Sequence, residues 1–140
     1  RDGRRLISVV MGASDEERRP SASLMLLNYG FRFFENHRLF AAGESVHSVK
    51  IWKGETDSLQ LGLQQDLYVT FPRGAYDNVN AAVDVNSPIV APLTQGQQLG
   101  TLRVTLGERE LATRPLFTLN AVAEAGAIDR FIDEVKLLFQ

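Results

Sequence analysis

The sequence has no cysteine, a single tryptophan and only two histidines among its 140 residues. The lack of cysteine excludes disulfides, thiolate metal sites and a cysteine nucleophile. A formal net charge of -2 provides no general positive field, so nucleic acid is not an expected partner. No apolar run reaches the roughly 18 residues that a membrane-spanning helix requires.

The motifs of serine acyl-transfer chemistry are also missing. No serine is followed three positions later by lysine or two positions later by asparagine, and Lys-Thr-Gly does not occur. The two histidines, His37 and His47, lack partners at metal-ligand spacing and are interpreted as solvated or hydrogen-bonded residues of a junction between elements. We therefore predict no catalytic residue, no metal site and no cofactor in these residues.

The first forty residues contain a strand-like segment and a helix-like segment. Leu6–Gly12 is a nearly continuous apolar run closed by glycine, which is typical of a strand covered on both faces. The spacing then predicts a helix over 21–35 that is apolar around most of its circumference. Such a pair needs partner elements that the later sequence does not provide. We expect it to be exposed or to contact a second chain; the alternative is that the helix packs on the following domain.

From about residue 45 the apolar period changes from 3.6 to 2. Strands are predicted over 58–64, 67–71, 79–85, 102–106 and 111–119, with an interruption of the last at Pro115. Their short lengths and frequent turn residues predict a small antiparallel β-sandwich, so the fold class is mainly β. Gly96 and Gly100 are interpreted as hairpin-turn residues, because a strand and not a helix follows them.

The C-terminal residues 127–140 return to helical spacing. One face of the predicted helix carries six large apolar side chains: Ile128, Phe131, Ile132, Val135, Leu138 and Phe139. Periodicity alone leaves two interpretations open, a docked or oligomer-forming helix and a helix lying in a membrane interface. The acidic polar face favours the first of these.

The order of several segments resembles one known family. Residues 5–12 and 26–35 look like the final strand and final helix of the penicillin-binding domain in D-alanyl-D-alanine carboxypeptidases of the penicillin-binding protein 5/6 type. The similarity continues through Asp66–Gly74, Ala91–Leu93, Gly100–Leu102 and Arg114–Leu116. It covers essentially the whole chain, in order, and therefore implies a division of the chain into three parts. Residues 1–40 would be the end of an α/β penicillin-binding domain, 41–122 a β-sandwich, and 123–140 a linker and amphipathic helix leading to a membrane anchor.

The resemblance also implies a function for the parent protein. Members of this family are periplasmic serine hydrolases that remove the terminal D-alanine of peptidoglycan stem peptides and are acylated by β-lactams. Their catalytic motifs precede the strand that resembles Leu6–Gly12, so stem peptides and β-lactams would bind an upstream domain and no catalytic role transfers to these residues.

The role implied for this stretch is that of a support near the membrane. The helix face from Ile128 to Phe139 would contact the outer surface of the cytoplasmic membrane. The bare strand and helix make a homodimer or swapped assembly plausible for the isolated chain. The alternative function is a free-standing, non-catalytic β-sandwich that acts as an interaction or spacer module.

Overall fold

The computed structural model describes residues 4–126. Within these residues one helix precedes eight strands, and a short 3-10 turn at Tyr76–Asn78 lies between the fourth and the fifth strand. The elements are α1 (Arg18–Phe33), β1 (Phe34–Phe40), β2 (Ser45–Trp52), β3 (Ser58–Gly62), β4 (Leu67–Pro72), β5 (Val79–Val85), β6 (Ile89–Val90), β7 (Gln98–Leu106) and β8 (Arg109–Thr118). We call residues 34–126, which contain all eight strands, the β domain.

The strands form two sheets. β1 and β4 make a two-stranded antiparallel ribbon, and the other six strands form a sheet in the order β5-β7-β8-β3-β2-β6. All neighbours in the larger sheet are antiparallel except β2 and β6, which pair in parallel over only two residues each. β5 and β6 are therefore the two edges of the larger sheet.

The core lies between the two sheets. Along β4 the buried residues Leu67, Val69 and Phe71 alternate with exposed ones, as a strand with one face in water requires. They pack in one cluster with side chains from the six-stranded sheet, and the most completely buried of these are Leu61, Leu102, Val104 and Leu116. The predicted fold class, mainly β with two sheets around one core and a helix before the strands, is confirmed.

Most predicted strands are confirmed, and their differences from the structure have simple causes. β1 and β2 lie in the stretch that was interpreted as a junction between elements. β1 was not predicted because apolar and charged residues are mixed on both of its faces, so the sequence shows no clear alternation. β8 continues through Pro115, where the prediction placed an interruption. β3 pairs with β8 only at Phe117 and Thr118, so the missing N–H of Pro115 removes no bond to β3, and Pro115 lies opposite Thr101 of β7 on the other side.

The N-terminal prediction needs two corrections. Residues 6–12 do not form a strand, because none of the described strands lies beside them and an extended segment without a neighbour has no partner for its backbone hydrogen bonds. The helix begins at Arg18 and ends at Phe33, three residues earlier and two residues earlier than predicted. Pro20 therefore lies in the first turn of the helix, where a backbone N–H would have no intrahelical acceptor, so the lack of one in proline costs no hydrogen bond.

Only one of the two glycines interpreted as turn residues is in a turn. Gly96 has a positive φ of 77° and lies in the turn before β7, as predicted. Gly100 lies inside β7, where a Cβ would come within 2.7 Å of the Asp84 carbonyl oxygen on β5. The prediction for Gly100 was therefore wrong, and close approach of two strands explains the glycine.

The connection between β1 and β2 is held by Asp66. Its carboxylate accepts a hydrogen bond from the Ala42 backbone N–H at 2.8 Å and one from Arg38 at 3.3 Å. The Ala42 N–H, and after it the Arg38 guanidinium, lower the pKa of the Asp66 carboxyl below its ordinary value. The charged form of Asp66 is thus favoured in the folded protein.

We expect this contact to make stability fall in acid. A carboxyl whose pKa is lowered by folding contributes stability above its unfolded pKa of about 3.9, and that contribution is lost as the pH falls through the folded pKa. Urea unfolding midpoints measured between about pH 6 and pH 2 should show Asp66→Asn less stable than the wild type at the upper end, with the difference shrinking towards the lower end. Asp84→Asn, an exposed change on β5, is the control. A constant difference across the range would contradict this role of Asp66.

Candidate functional site: the exposed helix

The helix α1 has a large apolar surface that the β domain does not cover. None of its sixteen residues is buried. The exposed large side chains on it are Leu24, Met25, Leu26, Tyr29 and Phe33. Contiguous exposed apolar surface on a soluble chain marks an interaction surface. The expectation that this helix is bare is confirmed, and its packing on the β domain is not observed.

The segment before the helix is bare in the same way. Ile7, Val9 and Met11 are exposed, and the side chain of Met11 reaches 87% exposure. Leu6 approaches the helix closely, since its Cδ1 lies 2.7 Å from the position that a Cβ on Gly30 would occupy. The apolar residues of the segment and of α1 together form what we call the N-terminal apolar surface.

The C-terminal end of α1 is fixed by arginines from outside the helix. Arg4 donates to the carbonyl oxygens of Phe31 and Phe34, and its guanidinium lies 5.2 Å from the centre of the Phe31 ring. The last carbonyls of a helix have no intrahelical partner and carry partial negative charge, so a cation there is stabilising. Arg4 therefore caps the C-terminal end of the helix.

Arg73 makes a second set of contacts to the same helix end from the β domain. Its side chain donates to the carbonyl oxygens of Arg32 and Phe31 at 3.2 Å and 3.3 Å, and its backbone N–H donates to Phe33 at 2.8 Å. The helix passes into β1 without a loop, and Arg73 follows the strand β4 that pairs with β1. These contacts hold α1 to the ribbon of β1 and β4.

The two histidines lie in strands and not in a junction. The ring of His37 on β1 stacks with Phe71 at 5.3 Å and contacts Tyr76 at 5.0 Å. His47 is exposed on β2. Among residues 4–126 no group of three or more His, Cys, Asp or Glu side chains is arranged to hold a metal ion.

The six predicted membrane-facing residues lie outside the described residues. They are Ile128, Phe131, Ile132, Val135, Leu138 and Phe139. Within the part of the chain that the structure describes, no helix is long and apolar enough to cross a bilayer. The membrane contact of this segment stays a prediction.

Little in the sequence indicates the arginine contacts. Arg4 and Arg73 are far apart in sequence, and a cation that caps a helix from a distant segment produces no local pattern. A weak signal is the lack of glycine in residues 31–42, which leaves the last helical carbonyls without a capping glycine. The apolar surface itself was predictable, because its residues are consecutive in sequence.

Comparison with known proteins gives a consistent result. Residues 34–124 match the domain family described as penicillin-binding protein 5, C-terminal domain. The chain is 37% identical over 136 residues to the D-alanyl-D-alanine carboxypeptidase DacA of Escherichia coli K12, which covers 96% of this chain and 34% of that protein. It is 35% identical over 136 residues to DacC of the same organism, with the same coverage.

A solved structure of a relative has the same fold. The crystal structure of penicillin binding protein 5 from Haemophilus influenzae superposes with a TM-score of 0.75 and 30% identity, over 82% of this chain and 34% of that chain. The chain thus spans about a third of the length of the curated relatives that it matches. These relatives are named D-alanyl-D-alanine carboxypeptidases.

Proposed function

Because the chain belongs to the family of penicillin-binding protein 5 C-terminal domains, we propose that it is the non-catalytic supporting part of a periplasmic, serine-type D-alanyl-D-alanine carboxypeptidase. The parent enzyme would trim the terminal D-alanine from peptidoglycan stem peptides and be acylated by β-lactams, through residues outside this chain. The β domain would stand between that catalytic part and the outer face of the cytoplasmic membrane.

The N-terminal apolar surface carries this proposal. Segment 6–11 and helix α1 expose side chains that a free-standing domain would bury, and they precede the part of the chain that matches the family domain. A catalytic part seated on this surface would bury it. Arg73 would then hold the attached part at a fixed orientation to the β domain, which suits a support better than a flexible tether.

Penicillin labelling tests the proposed activity. An antibody raised against the chain would be used to precipitate the native polypeptide from cells treated with a fluorescent penicillin. We expect the precipitated polypeptide to carry the covalent label and to be roughly three times the mass of the 15.6 kDa chain, the ratio implied by its 34% coverage of its relatives. Pretreatment with unlabelled penicillin should remove the signal.

The alternative, a free-standing interaction or spacer module, predicts the opposite result. The precipitated polypeptide would then remain unlabelled while other penicillin-binding proteins in the same extract take up the label. The labelled extract is thus its own positive control. An unlabelled precipitate would reject the carboxypeptidase proposal.

The membrane contact is proposed from the C-terminal sequence pattern. A helix over 127–140 would place Ile128, Phe131, Ile132, Val135, Leu138 and Phe139 on one apolar face. We expect the chain to sediment with vesicles of phosphatidylethanolamine and phosphatidylglycerol, and a chain ending at Gly126 to stay in solution. Phe131→Glu should weaken binding by about tenfold, since the buried side chain of a phenylalanine is replaced by a charge.

A matched change on the polar face is the control for the vesicle experiment. Asp133→Asn removes a charge from the same segment but leaves the apolar face intact. It should bind vesicles at least as well as the wild type, because the acidic lipid no longer faces that carboxylate. Equal binding by the chain that ends at Gly126 would reject the membrane role of this segment.

A further inference from the structure

A groove lies between β5 and β6, the two edge strands of the six-stranded sheet. It has a volume of about 560 Å³, and residues 47–50 and Trp52 of β2 also line it. Its apolar lining includes Val83, Val85, Ile89 and Trp52. Volumes of this size are typical of ligand-binding sites. The groove is separate from the N-terminal apolar surface, because no residue of α1 lines it.

The backbone at the groove includes an unpaired sheet edge. β5 has β7 as its single neighbour in the described sheet, along all seven of its residues. β6 pairs only with Ile51 and Trp52 of β2, and therefore leaves the first part of β2 without a neighbour on that side. An exposed strand edge presents backbone donors and acceptors that an extended peptide can pair with.

Lys50 is the charged side chain of the groove lining, and Asp84 of β5 lies on the face of that strand opposite to Val83 and Val85. Lys50 and His47 are exposed at its rim, and no aspartate or glutamate is among the described residues that line it. The Lys50 ammonium lies 3.8 Å from the centre of the Trp52 ring, which holds the cation at the groove. Ser48 and Ser87 add hydroxyl groups to the lining. A ligand that offers carboxylates would complement this rim.

We propose that this groove binds an extended peptide segment of a partner protein that alternates apolar and acidic residues. The segment adds to the free edge of β5 as a further strand. Its apolar side chains contact Val83 and Val85, because successive side chains of a strand point to opposite sides. Its acidic side chains lie on the other face, where Lys50 attracts them across the groove and Asp84 of β5 is the one like charge of that strand. The proposal concerns the β domain alone and does not depend on the carboxypeptidase activity.

A capped peptide of about four Val-Glu repeats is the probe, since a strand of that length can span an edge such as β5. Amide NMR spectra of the isotopically labelled chain would be recorded during its titration. We expect peaks of β5 and of residues 46–50 to shift together, while those of the β7–β8 turn stay in place. A matching Val-Lys peptide should bind at least about fivefold more weakly, because it brings like charge to Lys50.

Backbone pairing is tested with two methylated versions of the probe, one with N-methyl valines and one with N-methyl glutamates. Only alternate N–H groups of an added strand point at the sheet edge, so we expect at least one version to lose binding. Undiminished binding by both versions would overturn the strand-addition proposal, since side-chain contacts alone would then explain the affinity.

Charge recognition is tested with Lys50→Glu. This variant should bind the Val-Glu peptide about fivefold or more weakly than the wild type does, which is the scale of a partly exposed charge pair. The difference in affinity between the Val-Glu and Val-Lys peptides should become smaller or change sign. Arg109→Glu, an equal charge change at the exposed start of β8, should leave both affinities unchanged. Thermal unfolding of each variant checks that the fold is retained.

Three further results would overturn the proposal. The first is the absence of any shift at β5 at about millimolar peptide, where even weak binding with a Kd near 1 mM is detectable. The second is a preference for the Val-Lys peptide by the wild-type chain. The third is appearance of the same shifts on concentrating the chain without peptide, which would assign the groove to a second copy of this chain.

Discussion

Leu61→Ala is expected to lower the free energy of unfolding of the β domain by about 3 kcal/mol, within the 2–5 kcal/mol range for leucine truncation in a packed core. Leu61 lies on β3, is 0% exposed, and is paired with His47 of β2 and Thr118 of β8. Its side chain belongs to the single core cluster that joins both sheets. The thermal midpoint should fall by about 12–24 °C in a domain of this size.

Leu26→Ala is the matched control for this measurement. The substitution is chemically the same, but Leu26 is exposed on α1 and contributes no buried surface to the β domain. We expect a change of no more than about 0.5 kcal/mol, because surface substitutions leave no cavity. Comparable losses for the two variants, measured by urea unfolding, would show that α1 is part of the cooperative core and would contradict the division described above.

Met25→Glu is expected to weaken self-association of the isolated chain by at least about tenfold. Met25 is 73% exposed in the N-terminal apolar surface. When no other part of a longer protein is present, we expect a second copy of the chain to bind this surface and bury it. A carboxylate placed in such a contact loses its hydration without gaining a partner, which costs well over the 1.4 kcal/mol that corresponds to a tenfold change. Sedimentation equilibrium over a range of concentrations measures the effect.

Tyr68→Glu is the matched control for self-association. Tyr68 is 53% exposed on the outer face of β4, so the change adds the same charge at an exposed large side chain outside the N-terminal apolar surface. We expect the variant to associate as the wild type does. A wild-type chain that stays monomeric at about millimolar concentration, or an equal loss in both variants, would reject this surface as the site of contact.

Prediction from sequence succeeded where a pattern is local. The strands β3, β4, β5 and β7 were recognisable because alternation with period 2 is a property of consecutive residues. The exposure of α1 was predictable because apolar residues on all its sides exceed what one neighbouring sheet can cover. β1 was missed because both of its faces are half-buried, which removes the alternation.

The functional surfaces divide in the same way. The N-terminal apolar surface consists of residues 6–11 and 24–33. The apolar pattern of these two continuous segments predicts it. The groove brings together Lys50, Val83 and Ile89 from three strands, and nothing in the spacing of these residues indicates that they meet. The helix end is likewise completed by Arg4 and Arg73, which the chain separates widely.

The sequence by itself determined the class of the fold, the positions of most strands along the chain and the exposure of the helix, since each follows from the periodicity of side chains along a continuous segment. Only the tertiary structure decided which strands are neighbours, and therefore which edge of the sheet is open. Residues 6–10 illustrate the difference: their composition suits a buried strand, but a strand forms only where another backbone accepts and donates its hydrogen bonds. Pairing of distant segments is a property of the whole fold, so the open edge of β5 and its cationic rim could be seen only there.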